Sequence, residues 1–134
     1  MKRLIFGSLL LAAGLAHAQS EIDITTANVF LERASLFERM SEGREPADEL
    51  NLQKIMYFLG SVNGLRQAND ALKVMNRHGK TDSSKYVACI PPKATSRQLV
   101  KVIKSGMEQS PEDLHLPYAL LAQTTLAKTY PCPG

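Results

Sequence analysis

The stretch from Ala47 to Arg77 constrains the fold most. Leu52, Ile55, Leu59, Val62, Leu65, Leu72 and Met75 recur across it at threes and fours, the spacing that gathers side chains on one side of an α-helix. A chain that commits about thirty residues to one amphipathic helix, with almost no strand alternation elsewhere, reads as all-α. Gly79 stands where a left-handed helix end is expected. Gly60 and Gly64 lie four apart in the middle of the stretch, each costing up to about 1 kcal/mol relative to Ala. Their shared face suggests a packing role, the close approach of a neighbouring helix, or alternatively a bend at that point.

The rest of the chain supplies partners for this helix. Thr25 or Thr26 caps a helix to about Ser41, with Val29, Phe30, Ala34, Leu36, Phe37 and Met40 as its apolar stripe. Gly43 and Pro46 end it. Residues 79–94 are irregular and close on Cys89-Ile90-Pro91-Pro92. Thr95 with Gln98 forms a capping box, opening a helix to about Glu108 with Leu99, Val100, Ile103 and Met107 inward. Ser110-Pro111-Glu112-Asp113 is a second start signal. Pro117 divides a short turn from a final helix to Lys128. The expectation is a single compact bundle of four to five helices around one core.

Residues 1–18 read as a secretory signal peptide. Lys2 and Arg3 precede an apolar run from Leu4 to Leu15, and Ala16-His17-Ala18 supplies small residues for cleavage. The run is too short to span a bilayer, and Gln19 at the new end argues against a lipidated cysteine. Residues 19–134 then form one exported domain in the periplasm, with no membrane association expected. Both cysteines, Cys89 and Cys132, remain in it, and an even count in an oxidising compartment argues for a disulfide. Charge is uneven: residues 19–52 hold eight acids and three bases, residues 53–134 eleven bases and five acids. The bases are scattered as on solvated helix faces, so no nucleic-acid partner is expected.

No set of side chains composes a catalytic site. Glu112 and His115 are three apart on a helix start, but two ligands fall short of the three or four that a stable metal site needs. No phosphate-cradling loop or exposed nucleophile turn is present, so neither enzyme activity nor a cofactor is expected. Met56, Met75 and Met107 fall on helical stripes as core filling. Among the tyrosines at 57, 86, 118 and 130, Tyr86 stands out in a polar loop, Lys80 to Tyr86. Loops often carry recognition, which makes Lys80, Asp82, Lys85 and Tyr86 the candidate partner-binding residues.

Three segments, in order, resemble the Rap/Tai family of type VI secretion immunity proteins. Tyr57-Phe58-Leu59-Gly60-Ser61-Val62 resembles its glycine-and-tyrosine helix. Ala88-Cys89-Ile90-Pro91 with Thr95 to Val100 resembles its cysteine-proline helix entry. Ser110-Pro111-Glu112, His115, Ala119, Ala127 and Tyr130-Pro131-Cys132 resemble its last helix and closing Pro-Cys. Family members often carry two further cysteines, for which residues 27–59 have no counterpart; this fits the loss of one disulfide in a divergent member. The resemblance implies a small periplasmic helical protein, capable of forming a homodimer, that binds an effector toxin, a peptidoglycan amidase, and blocks its cleft. The competing expectation is a non-catalytic periplasmic binding or chaperone-like envelope protein.

Overall fold

The computed structural model describes residues 24–79 and 84–133. Among the described residues four α-helices follow one another, α1 (Ala27–Ser41), α2 (Glu49–Arg77), α3 (Ser96–Glu108) and α4 (Tyr118–Thr129), with 3₁₀ turns at Ser84–Tyr86 and Pro111–Asp113. Among the described residues there is no β-sheet; two isolated antiparallel bridges, Thr26 with Pro117 and Ala88 with Pro131, flank α4. The fold is the all-α bundle expected, and Cys89 and Cys132 are joined as its one disulfide. The leader read at residues 1–18 lies outside the described residues. No described helix is long and apolar enough to cross a membrane.

Local chemistry sets most boundaries. Asp48 caps α2, its Oδ1 accepting the Asn51 N–H at 2.8 Å. At α3 the capping box is complete: the Gln98 N–H donates to Thr95 Oγ1 at 3.2 Å and the Thr95 N–H to Gln98 Oε1 at 2.8 Å. Ser110 makes no such side-chain bond, and Pro111 opens only a 3₁₀ turn. Gly43 and Gly79 follow α1 and α2 with φ of 70° and 65°, a conformation in which a Cβ would crowd the following carbonyl.

Phe30, Phe58, Leu99, Ile103, Met107 and Leu126 form the centre of the core. The Phe30 ring lies 5.0 Å from that of Phe58 and stacks on Tyr118 at 5.7 Å, so α1, α2 and α4 meet at one aromatic cluster. The inward stripe of α3 is as expected, with Leu99, Val100, Ile103 and Met107 all buried. Lys104 of α3 reaches Glu38 of α1 across the bundle at 2.6 Å.

The stripe of α2 departs from expectation at both ends. Leu52 and Met75 are 45% and 41% exposed, because at 3.6 residues per turn both stand roughly 100° or more around α2 from the face that Ile55, Phe58, Val62 and Asn69 bury. Met56, read as core filling, is 74% exposed; it follows Ile55 and precedes Phe58 by two, which turns it away from the face those two bury.

Candidate functional site

The segment between α2 and α3 carries the candidate surface, and polar side chains hold it. Asn69 falls four residues after Leu65, where the apolar stripe of α2 places a core side chain, and is fully buried. Its Nδ2 donates to the Ala88 carbonyl at 2.9 Å and its Oδ1 accepts the Ala88 N–H at 2.8 Å. Gln123 of α4 donates Nε2 to the same Oδ1 at 2.8 Å and to the Tyr86 carbonyl at 2.5 Å. Each buried amide thus satisfies backbone that would otherwise lose its water partners. Arg66 works on the far side of the segment, with Nη1 and Nη2 donating to the carbonyls of Ala94 and Pro92 at 2.7 and 3.1 Å.

The disulfide adds a covalent hold. The Cα atoms of Cys89 and Cys132 are 4.9 Å apart, and the Cys89 N–H donates to the Tyr130 carbonyl at 2.7 Å. The end of the chain and the entry to α3 are therefore fastened to the same place.

Of the four candidate partner-binding residues, Lys80 and Asp82 lie outside the described residues. Lys85 and Tyr86 occupy the 3₁₀ turn, both exposed, Tyr86 by 48%. The turn forms a ridge between two grooves. On the Lys85 side is a groove of about 520 Å³ lined by Lys73, Arg77 and the two cysteines, with no acidic side chain among its described lining residues. On the Tyr86 side is a groove of about 730 Å³ between α3 and α4, lined in part by Leu116, Leu120 and Leu121. A tyrosine whose carbonyl is anchored by Gln123 while its ring stays accessible is preorganised for contact.

The glycines sort differently from the sequence expectation. Gly60 and Gly64 are exposed and a Cβ on either would meet nothing within 4 Å, so no described helix of this chain approaches them. The reason is phase: they follow the buried Phe58 and Val62 by two residues each, about 200° around the helix. α2 runs unbroken through both. The close approach occurs instead at Gly106 of α3, where a Cβ would overlap the Thr125 side chain of α4, 2.9 Å from its Cβ and nearer still to its methyl and hydroxyl.

His115 Nδ1 lies 3.0 Å from the Glu112 carbonyl, a turn-closing contact, and no group of three or more metal-ligating side chains is present among the described residues. Sequence reasoning missed Asn69, Gln123, Arg66 and Gly106. Asn69 had a signal, a polar residue in register with an apolar stripe. Gly106 had one too, directly before the inward Met107. Arg66 and Gln123 had none, since long polar side chains at helix positions are ordinarily solvated.

A family model described as Rap1a immunity proteins matches residues 26–132. No curated protein and no solved structure gives a significant match. The matched span begins at the N-cap of α1 and ends on the second disulfide cysteine, taking in all four helices and the ridge at Lys85 and Tyr86. The chain belongs to the Rap1a immunity protein family.

Proposed function

We propose that this protein is a periplasmic immunity protein that binds and blocks a peptidoglycan amidase delivered by type VI secretion, and that it works as a homodimer. The observation that carries the reading is the family match along the whole described bundle. Export by cleavage after Ala18 supplies the compartment, in which the cysteine pair is expected to be oxidised.

The physical arrangement supports binding rather than chemistry. Tyr86 and Lys85 stand on a turn whose backbone is held by Gln123 and, two residues on, by Asn69. Little ordering entropy is then lost when a partner docks, and an anchored aromatic flanked by grooves is the kind of feature that dominates interface energies. Lys80 and Asp82, a few residues earlier in sequence, are proposed as further contact residues.

Protection is the direct test. Cells producing the cognate amidase in their periplasm should survive when the protein is co-exported and lyse when it is not. Tyr86→Ala should weaken the complex by about tenfold or more in calorimetric titration, as for an anchoring aromatic. Absence of any complex at micromolar concentrations of both proteins would remove the proposal.

A further inference from the structure

We infer that Cys132 is a thiol-exchange site selective for small anionic thiols of the glutathione class, which open the Cys89–Cys132 link from the groove on the Lys85 side. Two observations meet there. The first is access. Both cysteines line that groove, Cys132 exposed and Cys89 partly so, and exposed disulfides are the ones that exchange.

The second is charge. Lys73 and Arg77 reach the groove from α2 and Lys85 from the 3₁₀ turn, with no acidic side chain among the described lining residues. Lys73 also lies 3.8 Å from the exposed Asp70, outside that lining. Residues 80–83 contain one base and one acid, Lys80 and Asp82, so they leave the excess unchanged. The helix dipole accounts for Arg77 in the last turn of α2. It does not account for Lys85, which comes to the same groove from a separate element.

Exchange requires a thiolate to attack one sulfur while the other departs. The incoming thiol gives its proton to solvent and its sulfur bonds to Sγ of Cys132, the more exposed cysteine. The Cys89–Cys132 bond breaks with its electron pair on Cys89, which leaves as a thiolate and takes a proton from solvent. The cations act twice: they concentrate an anionic thiol in the groove and stabilise the departing Cys89 thiolate. A cationic thiol gains only the second effect. The product is a mixed disulfide on Cys132. In it the chain end keeps the Cys89 N–H bond to the Tyr130 carbonyl but loses its covalent tie, while Asn69 and Gln123 still hold the ridge.

The test follows oxidised protein by mass in glutathione or in cysteamine, each rate expressed per thiolate. At low salt the glutathione-to-cysteamine ratio should be about tenfold or more higher in the parent than in Lys73→Gln/Arg77→Gln/Lys85→Gln, and added salt should shrink that difference. Lys73→Arg/Arg77→Lys/Lys85→Arg retains the charges and should retain the parent ratio, which separates charge from damage to the fold. At early times after acid quenching, peptide mapping should find glutathione on Cys132 and Cys89 as a free thiol. Rates that do not change in low urea would show attack on the folded protein, as expected. Rates that climb with urea as steeply as global unfolding would overturn the inference. A ratio unmoved by removing the cations, or glutathione found on Cys89 instead, would overturn it too.

Discussion

Gly106→Ala tests the packing account most sharply, because helix propensity and tertiary packing predict opposite signs. In an exposed helix interior the change would stabilise by up to about 1 kcal/mol. At Gly106 the new Cβ would sit 2.9 Å from the Thr125 Cβ, well inside ordinary van der Waals contact. Rotating Thr125 cannot relieve that overlap, since its Cβ does not move with χ1, and a β-branched side chain has few rotamers to spare. α3 and α4 must separate instead, and they are the most extensively packed helix pair in the bundle. Overpacking costs about 1–3 kcal/mol, and an overlap with three Thr125 atoms including the Cβ belongs at the upper end, so after the propensity gain the net loss is expected at about 1–2 kcal/mol. At this chain length that lowers the melting temperature by roughly 4–8 °C, read by circular dichroism on oxidised protein at a concentration where it is monomeric. Thr125→Ala in the same chain should recover part of the loss, as sites in contact couple. Gly60→Ala and Gly64→Ala, with open space at both, should each raise the melting temperature. A Gly106→Ala protein as stable as the parent would refute the reasoning.

Asn69→Ala should cost about 2–4 kcal/mol, since it strands the N–H and carbonyl of the fully buried Ala88; a denaturant midpoint within error of the parent would contradict this. Cys132→Ser should lose up to about 4 kcal/mol in the loop-entropy account for a separation of 43 residues. The same loss should appear in the parent on adding reductant, and identical unfolding curves with and without it would count against a stabilising link. Arg66→Met keeps the apolar stem but removes the donors to Pro92 and Ala94, for an expected loss of about 1–2 kcal/mol and faster amide exchange around residues 92–95.

How much of this was legible in the sequence depended on how local the cause was. The capping box at Thr95 and Gln98 and the inward stripe of α3 could be read directly, because both are set within a few residues. The exposure of Leu52 and Met75 could not, since each stands three residues from an apolar neighbour, Ile55 or Leu72, yet lies roughly 100° or more from the face that α1, α3 and α4 cover, and which face is covered is decided by the other helices. Gly60 and Gly64 drew attention by their spacing, yet spacing alone does not say which way a face points. Their phase relative to Phe58 and Val62 did say, and it points outward. Gly106 was hidden because nothing in α3 reveals that Thr125 will stand against it. The ridge at Lys85 and Tyr86 was found from polarity and length, whereas the side chains that hold it, Asn69 and Gln123, come from helices 54 residues apart in sequence.

That separation links the stability of the bundle to the presentation of its surface. Apolar residues of similar size at 69 and 123 would fill the same volume without desolvating two amides, so hydrophobic burial alone does not explain their presence. What the amides do is transmit the position of α2 and α4 to the backbone of residues 86–88, while the disulfide transmits the position of the chain end to residue 89. Tyr86 is thereby fixed relative to the core, although its ring is about half exposed. An Asn69→Leu protein separates the two roles. It retains volume at the site but releases Ala88, so its ridge should exchange amides faster and bind a partner more weakly than its residual stability alone would predict. Equal weakening of binding in Asn69→Leu and in a variant of matched stability altered far from the ridge would show that the amides serve the fold only.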